Sequence, residues 1–271
     1  MGRVNWALRF YTDVLKLRHL HYGLWDAGAA LTLENLHHAQ EEYGRHLIAL
    51  FPRDVQRVLD VGCGTGAISL RLLEAGYSVA GVSPDPHEGE AYRVITQGRA
   101  PFHLSTFEDL SPGQRGFDLI LMAESCQYIK VAAGLAQAAR LLRDGGYLLV
   151  SDYFVKGQKE PGCLQCRSGH ELALYLRASE GAGFTLRHQD DITPRVLPTL
   201  DLAGMFYRTY GEPARTLGAA LLGERHPWVS RVFWGLLGKH IRTLEESLPL
   251  LDSAALARCK TYLVPLFQRA A

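Results

Sequence analysis

The stretch Val58-Leu59-Asp60-Val61-Gly62-Cys63-Gly64-Thr65-Gly66 constrains this chain more than any other. An apolar run ends at Val61, and three glycines at alternate positions lead straight into a helical pattern beginning near Ala67. Glycine adopts backbone angles that a Cβ forbids and lets a ligand lie against bare main chain. A strand, a sharp turn and a helix are therefore expected, with a binding surface between them. Asp60, just ahead of the turn, adds a carboxylate to that surface.

The surrounding chain repeats the alternation. YSVAGV (77–82), FDLILMA (117–123) and GYLLVSDYF (146–154) are short apolar runs separated by helical periods near 66–75, 87–98 and 131–143. Apolar strands alternating with helices predict a parallel sheet covered on both faces. Residues 1–52 read as helical, through Trp6, Phe10, Val14 and Leu17 and then Leu33, Leu36, Tyr43, Leu47 and Leu50. The aromatic turn His21-Tyr22-Gly23-Leu24-Trp25-Asp26 lies between them. Past residue 154 the pattern predicts a loop at 161–169, a helix at 170–183, a strand at 184–192, a helical insertion and a last strand at 261–269. Pro265 in that strand predicts an edge position or a bulge. The expected division is an N-terminal helical segment (1–52), an α/β core (53–194), a helical cap for substrate (195–258) and the last core strand (259–271).

The charge balance, 29 basic against 28 acidic residues, leaves a net +1 and gives no electrostatic case for nucleic acid or an anionic membrane. No apolar run approaches the roughly 20 residues of a membrane span. The first residues lack the apolar stretch and small-residue cleavage site of an export signal. The expectation is a cytoplasmic protein with a small-molecule partner, neither nucleic-acid-binding nor integral to a membrane. Its oligomeric state is left open, a homodimer included. Five scattered cysteines make no disulfide framework. Cys163-x-x-Cys166 with His170 supplies three potential ligands where a structural zinc site takes four, so no metal is expected.

The Val58–Gly66 stretch resembles the first motif of class I S-adenosylmethionine (SAM)-dependent methyltransferases. The resemblance covers roughly residues 20–155. It implies a Rossmann-like, doubly wound α/β fold: a seven-stranded, mostly parallel sheet with N-terminal helices and a helical cap inserted before the last strand. It further implies that Gly62, Cys63, Gly64 and Gly66 face the methionine part of SAM while Asp60 holds its amino group. Where the family usually carries an acid for the ribose, this chain has Ser83, followed by Pro84 and by Asp85 as a substitute. Thr106, Phe107 and Glu108 match the segment that frames adenine, and Ala123 and Glu124 match the end of the fourth strand. A dinucleotide fingerprint, completed by Ala67, is the rival, but it does not ordinarily require the acid at Asp60.

Glu124-Ser125-x-x-Tyr128 is similar to the tocopherol and sterol C-methyltransferase branch. The His21-Tyr22-Gly23-x-Trp25 segment resembles the same lipid-directed branch, which includes cyclopropane fatty acid synthases. There the N-terminal helices close over SAM and the tyrosine contacts it, a role implied here for Tyr22. The (D/N/S)-P-P-(Y/F/W) signature of DNA and protein amide methyltransferases is absent. The function implied is in-line transfer of a methyl group from SAM to an O, N or C nucleophile of a small, apolar or amphipathic metabolite, leaving S-adenosylhomocysteine. Cyclopropane-forming or cyclising chemistry on the same fold, and non-catalytic SAM binding, are the alternatives. Glu124 is the first candidate to contact substrate or take its proton, with helix capping as its structural alternative; His21 and Tyr128 follow. Asp152 and Tyr153 are further candidates for the pocket wall. Phe206, Tyr207, Tyr210, Trp228, Phe233 and Trp234 suit either an apolar pocket or the insertion's own core.

Overall fold

β1 (Arg57–Val61), β2 (Ser78–Ser83) and β4 (Phe117–Ala123) are buried along nearly their whole length, as strands sandwiched between helix layers must be. In the computed structural model, which describes residues 17–111, 113, 115–159, 162–225 and 248–270, they pair in parallel. Trp6, Phe10 and Val14, and Trp228, Phe233 and Trp234, lie outside the described residues. With β3 (Phe102–Leu104), β5 (Leu142–Val155), β7 (Phe184–Asp191) and β8 (Lys260–Arg269), the strand order is β3-β2-β1-β4-β5-β8-β7. A two-residue strand, β6 (His170–Glu171), pairs with the end of β5. β8 runs antiparallel to both neighbours. The expected mostly parallel sheet is thus present, seven strands along its path with β6 off to one side.

The helices are α1 (Leu33–Ala49), α2 (Ala67–Glu74), α3 (Pro86–Ile95), α4 (Val131–Leu141), α5 (Leu172–Gly181), α6 (Thr193–Phe206), α7 (Glu212–Arg225) and α8 (Ser253–Cys259). Successive strand residues point to opposite faces. Leu59, Ile120 and Leu148 therefore join one core, and their neighbours Val58, Leu119 and Leu149 join the other. A third apolar cluster ties the N-terminal segment to α6 through Leu17, Trp25, Leu36, Ala39 and Leu202, and Phe206 packs against it. Tyr210 is exposed. Tyr207 lines a shallow surface pocket with Asp201 and Ser253, away from the main cleft.

Pro265 corrects one expectation. β8 lies inside the sheet, not at its edge, and Pro265 pairs in register with Gln189 of β7. The bulge alternative is met one residue pair away, where the β7 register shifts between Leu186 and His188. A proline offers no N–H to a ladder, and an irregularity nearby absorbs that loss.

Candidate active site

The chain lays down β1, β2 and β3 toward one side and then returns to place β4 on the other side of β1. In open α/β sheets the crevice at such a reversal, beyond the carboxyl ends of the strands, is where ligands bind. A cleft of about 450 Å³ opens there. Its wall comes from the turn after β1, the start of α3, residues 105–108 after β3, the end of β4 and His19–His21 of the N-terminal segment.

Most of the residues picked out from the sequence converge on this cleft. Asp60, Gly62, Cys63, Gly64, Ser83, Pro84, Asp85, Thr106, Phe107, Glu108, Ala123, Glu124, His21 and Tyr128 all line it. Tyr22 and Gly66 do not. Gly66 caps α2 from behind, packed on the Tyr92 ring. Tyr22 turns its ring toward Tyr262, 5.9 Å between centroids, and its N–H donates to Glu124 Oε1.

The glycine turn is held tightly. A Cβ on Gly62 would meet the Ser125 Cβ at 2.4 Å, so only glycine lets the β1 turn approach the end of β4. Gly64 lines the cleft at φ +52°, and a Cβ there would touch the Leu20 Cδ1 at 3.6 Å. Asp60 is buried and accepts a 2.6 Å hydrogen bond from Ser69 Oγ. Burial drives its pKa up to about 6, partly offset by that bond. Thr65 Oγ1 donates to the Arg18 carbonyl at 2.6 Å, locking the N-terminal segment over the turn.

At the tip of β2 two acids, Asp85 and Glu88, line the cleft. Asp85 is the N-cap of α3 and accepts from the His87 N–H at 2.8 Å. Glu88, one turn on, swings back to accept from the buried Ser83 Oγ at 2.6 Å. The Ser83–Glu88 pair therefore lines the cleft together, and burial raises the Glu88 pKa. The spacing Asp85-x-x-Glu88 is a capping-box signature, which marks Glu88 in the sequence but as a helix cap. Thr106 is occupied locally, exchanging hydrogen bonds with Asp109. Phe107 belongs to the core and to the cleft wall at once.

Glu124 has the most unusual setting. It is a non-glycine residue at φ +59°, a left-handed conformation that costs strain and persists where the surroundings impose it. The surroundings here are explicit. Its Oε1 accepts from the Tyr22 N–H at 2.8 Å and from the Tyr262 hydroxyl at 2.8 Å. Tyr262 in turn lies 2.9 Å from the hydroxyl of Tyr43, which is 2.7 Å from Ser151 Oγ. All three partners are buried. Glu124 caps no helix: the following 3-10 turn, Cys126–Tyr128, has no side-chain cap bond. Burial raises its pKa to about 8 despite the two donated hydrogen bonds, and the charge of Asp152 adds to the rise. Tyr128 stands exposed at the rim.

His21 has both ring nitrogens taken, Nδ1 by the Tyr22 carbonyl at 2.7 Å and Nε2 by His19 at 3.0 Å. His19 continues to Glu41, which also pairs with Arg71. Burial lowers the pKa of His21 to about 3 and of His19 to about 4. Asp152 is buried behind the wall, not in it; its carboxylate accepts from the N–H groups of Gln127 and Tyr153. Tyr153 bonds Gln127, itself a lining residue. Sequence reasoning missed Tyr43 and Tyr262 as site residues, because each reads as an ordinary core position of a helix or strand.

A family model for a methyltransferase domain matches residues 36–189, more than half of the chain. The chain belongs to this methyltransferase-domain family. The domain is 30% identical over 151 residues to the 27-O-demethylrifamycin SV methyltransferase of Amycolatopsis mediterranei, covering 53% of this chain and 54% of that one. The matches to curated relatives span about half of their lengths or less. Among solved structures, the [4+2]-cyclase SpnF superposes with a TM-score of 0.72 at 15% identity, over 98% of this chain and 95% of that one. A geranyl diphosphate C-methyltransferase from Streptomyces coelicolor, crystallised with Mg2+, geranyl diphosphate and S-adenosylhomocysteine, superposes at 0.68 with 16% identity, over 96% and 92%. At such identities the likeness is one of fold. Among the described residues no helix is long and apolar enough to cross a membrane.

Proposed function

We propose that this methyltransferase-domain protein uses SAM to methylate a small, apolar or amphipathic metabolite, with Glu124 as the group that takes up the acceptor's proton. The observation that carries the reading is the convergence, on one cleft, of a buried Asp60 beside a glycine turn and a strained Glu124 whose pKa is raised. The residues fit such a cofactor. Asp60 has a single hydroxyl partner among the described residues and matches an ammonium group. The turn leaves main chain bare, and Ser83 with Glu88 offers acceptors to a diol. Thr106, Phe107 and Glu108 supply a mixed apolar and polar wall suited to a flat heterocycle.

When bound, SAM supplies an electrophilic methyl carbon and a neutral leaving group. The chain's own part is positioning and proton handling. Tyr22 and Tyr262 fix Glu124 Oε1, and among the described residues no hydrogen bond engages Oε2. A carboxyl with a pKa near 8 is matched to a weakly acidic acceptor such as a hydroxyl or an activated carbon acid. His21, with both nitrogens engaged, positions Tyr22 instead of touching substrate. The rim at Tyr128 and Ile129 faces the acceptor in this reading.

Calorimetry with S-adenosylhomocysteine tests the cofactor, and absence of binding sinks the proposal. SAM labelled in its methyl group, offered with hydroxylated and polyunsaturated apolar acceptors, tests the reaction. Label in the product as a methyl group is the expected result. An acceptor rearranged without label would favour the cyclising reading, for which the SpnF likeness provides the fold alone.

A further inference from the structure

At the carboxyl end of β5, three cysteines from two distant parts of the chain meet. Cys163 and Cys166 sit in the segment after β5, and Cys259 closes α8, where the helical insertion returns to the sheet. Their three sulfurs lie within 4.8 Å of one another. The Cys163 and Cys259 sulfurs are 3.6 Å apart. A disulfide bond would need about 2.05 Å. Thiolates bound at about 2.3 Å to one tetrahedral ion sit about 3.8 Å from each other, and the Cys163–Cys259 pair is close to that spacing.

The local backbone is shaped to the same end. Cys163 and Cys166 are joined by a tight turn, the Cys166 N–H donating to the Cys163 carbonyl at 3.1 Å. The N–H groups of Gln165 and Cys166 also point at the Cys163 sulfur. Such donors around a ligand sulfur orient it and offset its charge. His170, which the sequence spacing pairs with the two cysteines, is elsewhere: its Nε2 bonds the Cys126 carbonyl at 2.9 Å and its ring stacks on Tyr175. Cys259 takes its place. Basic residues surround the thiols. Arg258 and Lys260 flank Cys259, and the buried Lys260 ammonium lies 3.0 Å from Ser168 Oγ, in the same segment as the CxxC turn.

We propose that Cys163, Cys166 and Cys259 form a binding site for a soft, tetrahedral divalent cation of the zinc class, with an exogenous ligand at the fourth corner. Coordination converts three thiols to thiolates and releases three protons, leaving a site of net charge −1 beside Arg258 and Lys260. The ion staples the segment after β5 to the point where the insertion rejoins the sheet, which fixes the cap's return to the core.

The test uses the full chain, reduced and stripped of metal with a chelator, then titrated with cobalt(II). Expected are a thiolate-to-cobalt charge-transfer band and tetrahedral d–d absorption that saturate at one ion per chain and vanish on adding zinc. Cys163→Ser, Cys166→Ser and Cys259→Ser each lose the bands, whereas His170→Gln keeps them. Absence of the bands in the wild-type chain overturns the proposal whatever the variants do. So does their survival in Cys259→Ser with loss in His170→Gln, which would restore the CxxC–His set. A Cys163–Cys259 disulfide in the isolated protein, with no cobalt bands after reduction, replaces the metal with a redox pair and overturns it as well.

Discussion

The cleft wall formed after β1, β2 and β3 and the pocket around Glu124 differ in how far apart their residues stand along the chain. On the wall, Asp60 meets Ser69 nine residues on, Ser83 meets Glu88 five on, and Thr106 meets Asp109 three on. Around Glu124, Tyr22 is 102 residues away and Tyr262 is 138 away, and Tyr262 and Tyr43 are 219 apart. The first region is built by single strand–turn–helix units. The second exists only because the last strand inserts beside β5 and the N-terminal segment folds over the sheet. The residues of the cleft wall can therefore be read from local motifs, whereas the groups that tune Glu124 cannot.

Four substitutions separate the two regions. Glu124→Gln should lower turnover by about 10²-fold or more, the usual scale of a lost acid–base group, while S-adenosylhomocysteine affinity stays within about twofold. Steady-state kinetics with calorimetry on the same preparation checks both, and an unchanged rate would reduce Glu124 to a strained structural residue. Gly64→Val acts on the other region. It forces a β-branched side chain to φ +52° at the cleft, and cofactor affinity should fall by about 10²-fold with the fold retained. Wild-type affinity in that variant would take the glycine turn out of the binding argument.

Asp60→Asn should weaken S-adenosylhomocysteine by about thirtyfold, the loss of a charge-assisted hydrogen bond of roughly 2 kcal/mol. The sign with pH follows from the raised pKa. Asp60 is protonated below about pH 6 and ionised above it, and a cationic ammonium prefers the ionised form. Wild-type affinity should therefore rise as pH climbs through about 6, and the asparagine variant should be flat there. Tyr262→Phe gives the smallest effect, about fivefold in rate at pH 7, one neutral hydrogen bond of about 1 kcal/mol. It removes a donor to the carboxylate, so the Glu124 pKa rises further and the ascending limb of the pH–rate profile moves to higher pH. A limb that stays in place would separate Tyr262 from the proton chemistry.

Legibility in the sequence followed the same divide. The glycine turn, the strand alternation and the position of Glu124 at the tip of β4 were readable because each depends on periodicity or on a backbone angle within a few residues. Asp85 was the readable acid after β2; it caps α3 at the cleft, and Glu88, readable only as a capping-box partner, bonds Ser83 beside it. Tyr43 and Tyr262 carried the right apolar spacing for a core, and nothing in that spacing marks a hydroxyl aimed at a carboxylate. His170 had ligand-like spacing from Cys163 and Cys166, and the sheet gave the place to Cys259.

Taken alone, the residue order determined a layered, mostly parallel sheet, a glycine-lined turn and an acid on each side of it, because hydrophobic period and glycine's backbone freedom act over short spans. Three-dimensional packing decided which distant side chains share a low-dielectric space. That sharing set the charge state of Glu124 and brought three thiols within reach of one ion. Both outcomes depend on where β8 slides between β5 and β7, a contact that no stretch of neighbouring residues encodes.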